Sequence, residues 1–140
     1  MAKPRLETRA RSRALQAVYA WDVRGRVSPL SAVARTVWDD IGIARDERQF
    51  ASVLVAAVER DLAEIDRDLE SITTNWRLDR LGAIERCVLR LGAAELRQVD
   101  TPTRVVLQEA VRLAERFGSE QSAKFVNGVL DALARRLAKI

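Results

Sequence analysis

Apolar residues recur three and four positions apart along almost the whole chain, and this period constrains its fold more than any other feature. No stretch sustains the alternation of a half-buried strand, so the chain reads as all-α. A first helix covers about Thr8 to Arg24, with Ala10, Ala14, Ala17, Val18 and Trp21 on its stripe and Gly25 as a stop. Ser28-Pro29 supplies an N-cap and a first-position proline to a second helix. That helix carries Leu30, Val33, Ala34, Val37 and Ile41 and ends near Gly42. Asp46 opens a third helix with an apolar side running from Phe50 to Ile72. It would be roughly 40 Å long, which leaves room for a kink or break near Asp61–Glu64. Thr73-Thr74-Asn75-Trp76 is the loop that follows.

The fourth helix, Leu78 to Gln98, is apolar on two sides: Leu81, Ile84, Val88 and Leu91 on one, Leu89 and Leu96 on another. A helix hydrophobic on most of its circumference is predicted to be central. Glu95 lies inside its apolar stripe and is expected to pair with an arginine or cap a helix, because an unpartnered buried carboxylate is too costly. Thr101-Pro102 starts a fifth helix that Gly118 terminates, and a last helix runs from about Glu120 to Leu137. The organisation predicted is a single domain, residues 1–140, with helical subdomains of about 1–73 and 74–140.

A chain of 140 residues buries enough surface to need no staple. Its single cysteine, Cys87, rules out an internal disulfide and falls among Leu81, Ile84, Val88 and Leu91, where a buried inert thiol is expected. The chain has no histidine, which removes Ser-His-Asp and Cys-His chemistry and imidazole metal ligands. No paired acidic motif stands in a recognisable loop, so neither an enzyme nor a cofactor is predicted. No run of 18 apolar residues spans a membrane, and the basic N-terminus lacks the apolar core of a secretory signal.

The net charge of +4 is unevenly spread. Residues 1–26 hold seven basic side chains against Glu7 and Asp22, a net of +5, and the rest of the chain carries −1. A positive field confined to one end favours a polyanion partner. On the first helix, Arg5, Arg9, Gln16 and Tyr19 turn away from the apolar stripe. Arginine, an amide and an exposed aromatic together can hold phosphate, a base edge and a base face of single-stranded nucleic acid. The competing reading is a solvated basic helix whose tyrosine packs on a neighbouring subunit or subdomain. The last helix poses a second question. Phe125, Val126, Val129, Leu130, Leu133 and Leu137 gather on one side, while Gln121, Lys124, Asn127, Gly128 and Asp131 lie opposite. An interior glycine costs roughly 1 kcal/mol relative to alanine, so Gly128 beside Asn127 marks either close approach by a ligand or a helix-crossing contact.

Three blocks resemble the NusB family of bacterial transcription antitermination factors. They are Arg9-Ala10-Arg11 with Gln16-Ala17-Val18-Tyr19-Ala20-Trp21; Asn75-Trp76-Arg77-Leu78-Asp79-Arg80-Leu81 through Arg90-Leu91-Gly92-Ala93-Ala94-Glu95-Leu96; and Lys124-Phe125-Val126-Asn127-Gly128-Val129-Leu130-Asp131. The third is the most specific, and order and spacing agree over nearly the whole length. The resemblance implies a compact NusB-like fold of two roughly three-helix bundles and a cytoplasmic protein without catalysis. It implies binding to boxA, a single-stranded element of ribosomal RNA leaders, together with NusE, a small-subunit ribosomal protein. It further implies a place in an RNA polymerase elongation complex with other Nus factors. The positions matching the family's RNA-binding elements are Arg9, Arg11, Tyr19, Gln121, Lys124 and Phe125; Arg5, Arg13 and Gln16 join them on the basic helix. Glu85 matches an acidic position of the NusE surface. Arg13 stands where many relatives are neutral and would extend the basic surface. Gly92-Ala93-Ala94 replaces a bulkier stretch, which would alter local packing or self-association, and a homodimer stays open. Two alternatives remain: a purely protein-binding helical module, and the NusB-like domain of a ribosomal RNA methyltransferase without its catalytic part.

Overall fold

The computed structural model describes residues 5–73, 77–98 and 100–139. Among them are seven helices and a single 3-10 turn: α1 (Leu6–Val23), α2 (Leu30–Ile41), α3 (Arg45–Arg60), α4 (Leu62–Ile72), the turn Leu78–Arg80, α5 (Ala83–Gln98), α6 (Thr103–Phe117) and α7 (Glu120–Arg136). Thr74, Asn75 and Trp76 of the expected loop lie outside the described residues.

The helix ends follow local chemistry. Gly25 and Gly42 close α1 and α2 with φ of +82° and +62°, the left-handed region that glycine enters without a side-chain clash. Ser119 is the N-cap of α7, its hydroxyl accepting from Ser122 N–H at 3.1 Å. The long third helix is two helices, broken at Asp61 where the backbone leaves helical geometry (φ −111°, ψ 23°).

Two starts differ from expectation. Helix α2 begins at Leu30, with Pro29 itself in the cap position and its carbonyl accepting from Ala32 and Val33. Proline offers no capping side chain, and the free N–H of Ser31 is taken by Glu59 Oε2 at 2.9 Å. Helix α5 begins at Ala83 rather than Leu78. Leu78 and Leu81 fit the helical period, but Leu81 is extended (ψ 157°) and the chain turns at Gly82 before the helix starts. Arg86 Nη1 donates to the carbonyls of Leu78 and Leu81, at 3.1 and 2.7 Å, which fixes this short turn against α5.

Helix α5 is the axis of the molecule. Every residue from Cys87 to Leu96 is buried, and α1, α3, α4, α6 and α7 all pack on it. Helix α1 is the second hub, touching α2, α3, α5 and α6. Gly92 lets α7 approach, since a Cβ there would stand 2.6 Å from Leu130 Cδ1. The Gly92-Ala93-Ala94 stretch is therefore an internal packing device, with Ala93 and Ala94 fully buried. Cys87 is buried at the same hub. Burial, with a contribution from the nearby Asp22 charge, pushes its thiol up to about 12, so it carries no reactive thiolate.

Arginine–carboxylate pairs tie the helices together. Asp22 at the end of α1 accepts from Arg86 (3.0 and 2.5 Å) and Arg90 (3.0 Å), and Arg90 also forks onto Asp66 of α4 (2.9 and 3.1 Å). Burial works to raise the Asp22 carboxyl, but the two guanidiniums outweigh it and hold it below the usual carboxylate range.

Candidate nucleic-acid interface

The outer face of α1 presents Arg5 at the helix start, then Arg9, Arg13, Gln16 and Tyr19. Arg9 and Arg13 are partly exposed, and Arg13 Nη1 donates to Gln16 Oε1 at 3.3 Å, so the amide and the guanidinium share one site. Tyr19 is 39% exposed, leaving its ring open to a base, as the helical wheel requires. Both arginines face Glu47 in the first turn of α3, at 3.5 Å from Arg9 Nε and 3.6 Å from Arg13 Nε.

Arg11 is not on this face. It is 4% exposed and lies inside the molecule, with Nε 2.9 Å and Nη2 2.5 Å from the two oxygens of Glu95. Glu109 adds a second carboxylate at 3.5 Å, and the guanidinium stacks 5.4 Å from the Phe50 ring centroid. Burial alone would strip this arginine of its proton more readily, but the Glu95 hydrogen bond and charge prevail and raise it. The expected arginine partner of Glu95 is thus Arg11, and the reading of Arg11 as a surface RNA ligand is corrected: it joins α1 to α5 across the core.

The second cluster sits where α7 begins. Gln121 and Lys124 are exposed and Phe125 is half-buried. Ser122 Oγ donates to Glu85 Oε2 at 2.6 Å, which brings the first turns of α5 and α7 together. Arg80, Leu81, Glu85, Gln121, Ser122 and Phe125 line an open cleft of about 360 Å³ there. Residues expected to serve two different ligands, Glu85 on one hand and Gln121 with Phe125 on the other, therefore share one cleft.

Arg116 reaches the α1 cluster from α6, a placement not anticipated from the sequence. It stands in the last turn of α6, 3.5 Å from Ser12 Oγ on α1 and 5.0 Å over the Phe117 ring, five residues before Gln121. Its only local signal is its place before the Gly118 corner. Gly128 is exposed, and a Cβ placed on it would meet nothing within 4 Å. That excludes the helix-crossing reading of Gly128. Asn127 is exposed on the lip of a groove between α6 and α7, beside Leu107 and Val111.

The surface carries arginine, lysine, amide and aromatic groups, and among the described residues no group of three His, Cys, Asp or Glu side chains is placed to hold a metal. Fold and surface define an all-helical class of protein with arginines, an amide and an exposed aromatic on one helix face. The NusB family profile matches residues 8–135. Transcription antitermination protein NusB of Sorangium cellulosum is 42% identical over 131 residues, covering 93% of this chain and 92% of that protein. The structure of NusB from T. maritima superimposes with a TM-score of 0.84 at 31% identity, over 96% of this chain and 93% of that one. The crystal structure of antitermination factors NusB and NusE in complex with dsRNA superimposes with a TM-score of 0.83 at 34% identity, covering 96% and 99%. The chain belongs to the NusB family, a family of transcription antitermination proteins.

Proposed function

We propose that this protein binds boxA RNA of ribosomal RNA leaders as a single strand, jointly with NusE, and carries the pair into an antitermination complex on cytoplasmic RNA polymerase. The observation that supports it most is a pair of clusters: Arg9, Arg13, Gln16 and Tyr19 on α1, which Arg116 of α6 approaches at Ser12, and Gln121 at the start of α7, which shares a cleft with Glu85 while Lys124 stands exposed one turn on. Arg9, Arg13, Arg116 and Lys124 supply phosphate contacts, which position a strand without reading it. Tyr19 offers a stacking platform, and Gln16 and Gln121 offer donors and acceptors to base edges. The related NusB–NusE complex contains dsRNA; the single-strand reading here rests on the exposed Tyr19 ring, which a paired, stacked base would not use. Glu85 beside the RNA residues lets NusE and RNA meet over one cleft, so each would raise the affinity of the other.

The test is a titration of boxA and scrambled RNA, with and without NusE, at two salt concentrations. Binding by the chain alone should be weak, with a log–log salt slope of up to roughly −3 if four phosphates are neutralised. NusE should tighten boxA binding and leave scrambled RNA nearly unaffected. An unchanged boxA affinity on adding NusE would sink the proposal.

A further inference from the structure

Among the described residues, Glu47 has an environment unlike the other carboxylates. It is nine-tenths buried, and its Oε1 has no hydrogen-bond partner. It faces Arg9 and Arg13, whose side chains remain 41% and 35% exposed, at 3.5 and 3.6 Å. A pair built for stability closes into a fork, as Arg11 and Glu95 do. Glu47 instead sits at ion-pair distance from two guanidiniums that both reach solvent. These are two of the four cations proposed to contact phosphate.

We infer that Glu47 is a resident competitor for RNA phosphate: it holds Arg9 and Arg13 in the free protein and keeps RNA affinity below what the cations alone would give. The inference rests on the RNA-binding reading above. A phosphate docking on either arginine lies about 6–8 Å from the carboxylate, and like charges at that range in a hydrated site weaken binding several-fold. Phosphate contacts carry no sequence information, so the carboxylate lowers affinity for boxA and for scrambled RNA by the same factor. Arg13 then adds less to the surface than its charge suggests, because Glu47 neutralises much of it.

The experiment measures boxA and scrambled RNA binding by fluorescence anisotropy at two salt concentrations. It uses the full chain, Glu47→Gln, Arg9→Gln with Arg13→Gln, and all three together. Glu47→Gln should bind both RNAs about fivefold more tightly, with a salt slope steeper by about 0.7 for each additional phosphate neutralised. The improvement should vanish when both arginines are absent. A folded Glu47→Gln with unchanged or weaker binding overturns the inference, and so does an improvement that survives loss of the arginines or favours boxA alone. If Glu47→Gln loses its helical circular dichroism, Arg13→Gln decides: it should weaken binding at least twofold less than Lys124→Gln, and an equal or greater loss refutes the competitor role. A wild-type chain that binds no RNA removes the functional proposal and this inference together. Binding that depends on Arg9 and Arg13 but ignores Glu47 removes this inference alone.

Discussion

Replacing Glu95 separates the two roles open to Arg11. In Glu95→Leu the Arg11 guanidinium keeps Glu109, at 3.5 Å, and the Phe50 ring, in a site where it is 4% exposed. Removing one partner of a buried ion pair costs about 3–5 kcal/mol. With Glu109 still near, the lower end applies, about 3 kcal/mol. The unfolding entropy of a domain this size is roughly 0.3 kcal/mol/K, so the melting temperature should fall by about 10 °C. Pairing Arg11→Met with Glu95→Leu removes both charges and leaves apolar groups facing Leu91, Val106 and Leu113, which line the same site. The double variant should return to within about 1 kcal/mol of wild type, or exceed it. Circular dichroism melts and urea titrations read the stability, and boxA titration reads the function. The double variant should bind RNA within about twofold of wild type, a difference near 0.4 kcal/mol. A Glu95→Leu loss below about 1 kcal/mol would refute the buried-pair reasoning. A folded double variant that loses RNA tenfold would return Arg11 to the binding surface.

Two further outcomes follow from the packing. The Asp22 carboxyl is held below its ordinary value by Arg86 and Arg90 against the opposing effect of burial, so the unfolded chain takes up this proton first as pH falls. The stabilisation is present above the ordinary carboxylate value and is lost as pH drops through the folded one; Asp22→Asn should flatten the fall in melting temperature below about pH 4. Exposed, uncontacted Gly128 and buried Gly92 should respond oppositely to alanine: Gly128→Ala raises stability by about 0.5–1 kcal/mol, whereas Gly92→Ala, 2.6 Å from Leu130 Cδ1, lowers it by about 1–3 kcal/mol, both read by chemical denaturation.

What the sequence made legible was local. The stripes of α1, α2, α6 and α7 and the stops at Gly25, Gly42 and Gly118 depend on neighbours three to five residues away. The start of α5 was not legible, because Leu78 and Leu81 keep the helical period while the backbone is set by Arg86 binding two carbonyls. On the α1 surface, Gln16 and Tyr19 followed from the wheel alone. Arg11 lies only about 70° from the centre of the α1 stripe, so its burial was within reach of the periodicity, but its charge argued for the surface. Glu47 had no local signal at all: its partners lie on another helix, and an acidic residue in a first helical turn is ordinary.

The contacts of α1 also set an order of events. Helix α1 is synthesised early, yet Glu95, which holds Arg11, follows 84 residues later, and Glu109, which accepts from Thr8, follows 101 residues later. Closing loops of that length precedes the stabilisation these pairs supply and slows folding. Until α5 and α6 have left the ribosome, Arg11 and Thr8 lack the carboxylates they bind, although Glu47 of α3 is already available to Arg9 and Arg13. The buried seat of Arg11 is therefore completed only after α5 and α6 have emerged, however early α1 itself becomes helical.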